Sequence, residues 1–130
     1  MERFQLKNGL TVLFQKNSSD SVALEAMFKV GSNDEKPDIL GISHFLEHML
    51  FEGTKKRPDS IIIANEIEKY GAEFNAYTSS CRTAFFIKII NKRFDIALDI
   101  LSDMITKPIF RKDKIEKEKK VILREIYMVT

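Results

Sequence analysis

Residues 22–30, VALEAMFKV, constrain the fold more than any other stretch. Val22, Leu24, Ala26, Phe28 and Val30 all point one way, the period-two pattern of a strand with one face buried and one face wet. Such a strand needs an apolar layer against one side only. Residues 73–78 (EFNAYT) and 83–90 (TAFFIKII) read as further strands. Residues 3–7 and 10–15 flank Asn8-Gly9, a hairpin signal in which both turn positions take positive φ. Four helical segments accompany them. One runs from about 40 to 52 and one from a cap at Asp59 or Ser60 to about Tyr70, where Gly71 ends it. A third covers about 92 to 106, with Phe94, Leu98, Leu101 and Ile105 toward the core and Asp95, Asp99 and Asp103 toward water. The last starts near Lys112 and is still running at Thr130. Polar GSNDEKPD at 31–38 and a basic stretch bracketed by Gly53 and Pro58 are loops. The chain has no internal repeat and no low-complexity linker. The reading is an α+β fold, a two-layer α/β sandwich with a mostly antiparallel sheet and helices packed on one face.

A chain of 130 residues is about one domain, able to bury roughly two-thirds of its unfolded surface. A formal charge of +2 is too small to argue for nucleic acid or an anionic membrane surface as partner. Cys81 is the single cysteine, so no intrachain disulfide forms. The opening MERFQLKNGL lacks a signal-peptide apolar region, and no apolar run approaches the ~20 residues of a membrane span. The expectation is a soluble, cytoplasmic protein.

The chemistry concentrates in GISHFLEHML, residues 41–50, which holds both histidines of the chain. With about 100° per residue, His48 lies about 40° from His44, and Glu47 about 60° to the other side. Ile42, Phe45, Leu46, Met49 and Leu50 occupy the opposite arc. Histidines at i and i+4 present neighbouring nitrogens to one point, the spacing that grips Zn²⁺. Glu47 leans toward the same place and suits a general base. The order H-x-x-E-H is a metallopeptidase signature. Two histidines and eleven glutamates placed at random would produce it on the order of once in a thousand chains. The bland alternative is an incidental cluster on a surface helix.

A catalytic zinc takes three protein ligands and keeps a fourth position open. On the last helix, Glu118 and Glu125 fall within the stripe formed by Ile115, Val121, Ile122 and Val129. A carboxylate on an apolar face is costly unless paired or metal-bound. Snorkelling or lysine pairing would satisfy both. The need for a third ligand favours Glu125, with Glu118 as a carboxylate able to hold an imidazole N–H. Cys81 is the weaker alternative ligand.

HFLEHMLFEGT (44–54), GAEFNAYTS (71–79) and EKEKKVILREI (116–126) resemble the pitrilysin/insulysin family of zinc metallopeptidases, particularly bacterial members like the β subunit of the mitochondrial processing peptidase. In that family a glutamate follows H-x-x-E-H after about 76 residues, and here 76 residues lie between His48 and Glu125. The resemblance implies that His44, His48 and Glu125 bind one Zn²⁺, Glu47 activates a water and Glu118 orients a ligand. It implies that the strand with Asn75 and Ala76 receives an extended peptide substrate by β-augmentation. It also implies that residues 1–130 are the N-terminal part of one zinc-binding domain. Family members run to several hundred residues, and their second half supplies an arginine and a tyrosine, so this chain is expected to be a fragment, poorly active alone. A homo- or heterodimer with a related half is possible within the family. A non-catalytic homologue serving as a partner or scaffold subunit is the alternative function. A closed structural zinc site suits one cysteine and two histidines poorly.

Overall fold

The structure, a computed structural model, describes residues 1–129, the side chain of Val129 apart. Strands β1 (Glu2–Gln5) and β2 (Thr11–Phe14) pair antiparallel as a hairpin. Its turn departs from expectation. Gly9 has a φ of 91°, but no non-glycine residue described has positive φ, so Asn8 stays out of the left-handed region. Asn8 instead accepts the Leu10 N–H through its side-chain Oδ1 at 3.0 Å. The Gly9 N–H donates to the Leu6 carbonyl at 2.9 Å. The wider turn takes residues from both flanks, which is why the strands are shorter than 3–7 and 10–15.

The main sheet holds β3 (Ser21–Phe28), β4 (Glu73–Thr78) and β5 (Thr83–Ile90) in the antiparallel order β3-β5-β4. Phe85, Ile87 and Ile89 of the central strand are buried, with Val22, Leu24, Ala26, Phe74 and Ala76 beside them on the same face. Helix α1 (Ile42–Leu50), α2 (Ser60–Lys69) and α3 (Phe94–Thr106) cover that face through Leu50, Ile63, Ile67, Ala97, Ile100, Leu101 and Met104. Each fully buried side chain such as Ile87 or Ile100 contributes about 1.5–3 kcal/mol. The seam between β5 and α3 therefore carries more of the fold than the exposed hairpin. The two-layer arrangement with helices on one face is the expected one. Alternation in β3 outruns its cover, and Phe28 and Val30 are exposed. Among the described residues, no helix is long and apolar enough to cross a membrane.

Two surprises lie in α3. Phe94 and Leu98, assigned to the core, are exposed, and Asp103, assigned to water, is 6% exposed. Both faces obey helical periodicity, so the hydrophobic pattern does not choose between them. A buried arginine does. Arg57, in the basic loop bracketed by Gly53 and Pro58, is 3% exposed. Its guanidinium donates to Asp103 Oδ2 at 2.8 Å, to Asp99 at 2.7 Å and to both oxygens of Glu66 at 2.6 and 2.8 Å. Thr54 Oγ1 donates to Asp103 at 2.6 Å and accepts the Arg57 N–H at 2.8 Å. Glu66, then Asp99 and Asp103, outweigh burial and hold the guanidinium protonated more firmly than usual.

The same loop fixes helix α4 (Lys112–Val129). Thr54 bridges Pro108, and the Ile109 N–H donates to the Gly53 carbonyl at 3.0 Å. Chain leaving α1 is thus pinned to chain entering α4, and the two helices pack together. On α4, Ile122 and Glu118 are buried as the stripe requires, while Val129 and Thr130, which the sequence places on that stripe and at the running end, lie outside the described side chains and residues.

The start of α1 is held differently. Its N-cap is Gly41, at φ 92°, with no side-chain cap of its own. Glu35, from the polar loop, accepts the Gly41 N–H at 2.7 Å and the Ser43 N–H at 2.9 Å. A carboxylate there satisfies two N-terminal donors and suits the positive end of the helix dipole. The Gly41 and Ser43 amides hold the Glu35 carboxyl below its ordinary range.

Replacing Arg57 with leucine leaves the buried Asp103 without a counter-charge, held only by the Thr54 hydroxyl, and urea unfolding is expected to show a loss of about 3–5 kcal/mol. Replacing Glu35 with alanine is expected to cost about 1 kcal/mol near neutral pH, as for a lost cap. Because the folded-state pKa is lowered, that contribution is present above the ordinary glutamate range, about 4.3. It is lost as pH falls through the folded-state value. The difference between parent and variant should therefore shrink in acid; a difference that grows there contradicts the cap.

Candidate metal centre

One side of α1 packs into the core through Met49 and Leu50, which turns His44, Glu47 and His48 toward α4 and β4. Ile42 and Leu46, expected on the buried side, remain exposed at its rim. His44 Nε2 and His48 Nε2 lie 3.0 Å apart. Glu125, across the interface on α4, places Oε2 3.2 Å from His44 Nε2 and Oε1 3.7 Å from His48 Nε2. One ligand atom from each of the three lies within 4.8 Å of the others. Tetrahedral ligands at zinc–nitrogen distances are about 3.3 Å from one another, so the three donors stand at separations that fit such an ion. Their chemistry, two imidazoles and a carboxylate, also fits. Glu125 is 45% exposed by side chain and His44 38%. Glu125 therefore sits at the open rim of the α4 stripe rather than within it, and the cluster faces solvent on that side.

Behind the cluster the surroundings close. His48 Nδ1 is 2.9 Å from Glu118 Oε2, whose side chain is 7% exposed. Burial and the neighbouring Glu52 carboxyl raise the Glu118 pKa against the pull of His48. Burial works the same way on Glu52, but Glu118, Lys117 and Lys114 outweigh it and hold Glu52 below the ordinary range. Lys117 Nζ is 3.0 Å and Lys114 Nζ 3.5 Å from Glu52, which ties the end of α1 to the start of α4.

Glu47 faces β4, where Thr78 Oγ1 donates a hydrogen bond to its Oε2. Asn75 and Ala76 lie on the same strand, at the edge of the sheet. The Asn75 Oδ1 accepts the Ala76 N–H at 2.9 Å. A cavity of about 270 Å³ joins this edge to the cluster, bordered by Glu47, His48, Phe51, Asn75, Ala76 and Glu118. A larger depression, about 390 Å³, lies near Glu73 and Ile90 and contains neither histidine.

The residues selected from sequence thus converge: His44, His48 and Glu125 at one point, Glu118 behind His48, and Glu47 between the cluster and the strand of Asn75 and Ala76. Cys81 does not join them; it is exposed in the β4–β5 turn beside Ser79. Two residues of this environment lie inside the quoted blocks but receive no role from them: Thr78 and Glu52. Thr78 shares a strand face with Ala76, and period two alone would have aimed it at the helices. Glu52 is a charge directly following an apolar run, a signal that names burial but no partner.

Residues 11–130 match the insulinase family, peptidase family M16, and the chain belongs to that family. It is 46% identical over 123 residues to a protein named uncharacterized zinc protease from Rickettsia felis, covering 94% of this chain and 30% of that one. It is 38% identical to a probable mitochondrial-processing peptidase subunit beta from Arabidopsis thaliana (95% of this chain, 23% of the relative). The same identity relates it to cytochrome b-c1 complex subunit 1 from Homo sapiens (93% and 25%). Among solved structures, a protease from Helicobacter pylori superposes with a TM-score of 0.91 at 29% identity, over 95% of this chain and 30% of that one. The chain therefore spans less than a third of the length of these relatives.

Proposed function

We propose that this chain is the zinc-binding part of a metalloendopeptidase. The observation that carries the reading is the meeting of His44, His48 and Glu125 at 3.0, 3.2 and 3.7 Å from helices on opposite sides of an open site. In this reading those three hold one Zn²⁺, which supplies a Lewis acid and an acidified water when bound. Glu118 fixes the orientation of the His48 ring through Nδ1, leaving Nε2 as the donor. Glu47, next to His48 in sequence, takes a proton on its carboxylate from the attacking water and delivers it to the leaving amine. The edge of β4 at Asn75 and Ala76 receives an extended peptide through main-chain hydrogen bonds, with little demand on its sequence.

A second reading has a specific observation behind it. Some relatives carry the names of complex subunits, including cytochrome b-c1 complex subunit 1. The chain would then serve as a non-catalytic partner, paired with a related half. The complete set of His44, Glu47, His48 and Glu125 favours the peptidase.

Isothermal titration of the purified chain is expected to give one Zn²⁺ per chain. Glu125→Ala should weaken that binding by more than the about 10–100-fold expected for Glu118→Ala; unchanged affinity contradicts the ligand set. Glu47→Gln should keep zinc and lower peptide turnover by about 10²–10⁴-fold in a complete enzyme. Residues 1–130 alone should cleave peptides far more slowly than a full-length relative, and comparable zinc-dependent rates would refute this division of labour.

A further inference from the structure

The proposed function uses Asn75 and Ala76 of β4 but leaves Thr78 without a part. The strand's pleat points Phe74, Ala76 and Thr78 toward the helices, where Thr78 Oγ1 meets Glu47 Oε2. A half-buried glutamate such as Glu47 still has three side-chain torsions to settle, and α1 itself fixes none of them beyond the first. The hydroxyl of a β-branched residue is a stiff donor.

The position of Thr78 is itself tightly held. Thr78 pairs with Thr83 at the last rung of the β4–β5 ladder, and the turn beyond is closed by the Ser79 N–H donating to the Arg82 carbonyl at 2.8 Å. The Ser32 and Asn33 N–H groups donate to the Ser79 and Ser80 carbonyls at 3.1 and 2.9 Å. Gly31 lies so close that a Cβ there would sit 2.3 Å from the Ser79 carbonyl oxygen. Two residues after this clamp, Glu35 caps α1 through Gly41 and Ser43. One loop therefore grips both the strand end that carries Thr78 and the helix that carries Glu47.

We propose that Thr78 is a positioning residue for Glu47: its hydroxyl holds one carboxylate oxygen so that the other is presented for proton transfer. This rests on the reading of Glu47 as general base. Loss of a supporting hydrogen bond of this kind costs about 10–100-fold in activity.

The test is made on the intact protein loaded with zinc. Thr78→Val should lower kcat about 10–100-fold while KM, zinc affinity and thermal midpoint stay near those of the parent. Thr78→Ser, which keeps the hydroxyl, should recover most of the rate. A crystal structure of Thr78→Val should show Glu47 in another rotamer or spread over several, a readout that does not depend on turnover. Parental kcat in Thr78→Val, no recovery in Thr78→Ser, a loss explained by weaker zinc binding, or an unmoved Glu47 each overturn the proposal. Glu47→Gln, measured alongside, separates the two claims. If it turns over normally, the base assignment fails; if it is inactive while Thr78→Val is normal, only the role of Thr78 fails.

Discussion

Helix α1 can carry two imidazoles and a carboxylate on one side because its other side is committed to the core. Met49 and Leu50 are buried, so the rotation of the helix about its axis is set by hydrophobic burial. Once that rotation is fixed, four-residue spacing brings the Nε2 atoms of His44 and His48 to 3.0 Å. Everything proposed for the site depends on this division of one short helix into a packed side and a polar side. Neither end of the helix is free to move: Glu35 holds its start, and the Glu52–Lys114–Lys117 contacts hold its end.

The opposing donor has to arrive from more than seventy residues away, and backbone contacts join the two segments beside the Glu52–lysine pairs. Chain leaving α1 at Gly53 and Thr54 is joined to chain entering α4 at Pro108 and Ile109. Arg57 locks this junction onto α2 and α3 by satisfying Glu66, Asp99 and Asp103 together. A buried arginine with three carboxylates is costly to assemble and costlier to break. Its value here lies in register, because the junction decides which turn of α4 faces His44 and His48.

Local physics was legible in the sequence. The bounds of β4 and β5 are those read from the sequence, and of the two candidate caps of α2 it is Asp59 that serves, its Oδ1 accepting the Ile61 N–H at 3.0 Å. Helical spacing also groups His44, Glu47 and His48 on one side of α1, because period and chemical type coincide there. What escaped were features decided by a distant partner. Asp103 reads as a wet-face residue until Arg57 is placed beside it, and the core face of α3 turns with it. Glu35 reads as one more loop charge until its two amide donors are seen at the start of α1. Glu125 reads as a stripe residue, but the stripe runs out at the rim. In each case sequence pattern gives the element and tertiary pairing gives the side.

The family places this chain among relatives more than three times its length, and the His44–His48–Glu125 cluster faces solvent on one side. The central claim is that two imidazoles of α1 and a carboxylate of α4 share one ion. X-ray absorption at the zinc edge of the zinc-loaded chain tests it most directly. The account predicts a first shell of nitrogen and oxygen at about 2.0–2.2 Å, with outer scattering from two imidazole rings. A sulfur scatterer at about 2.3 Å, or a shell with fewer than two imidazoles, would contradict it.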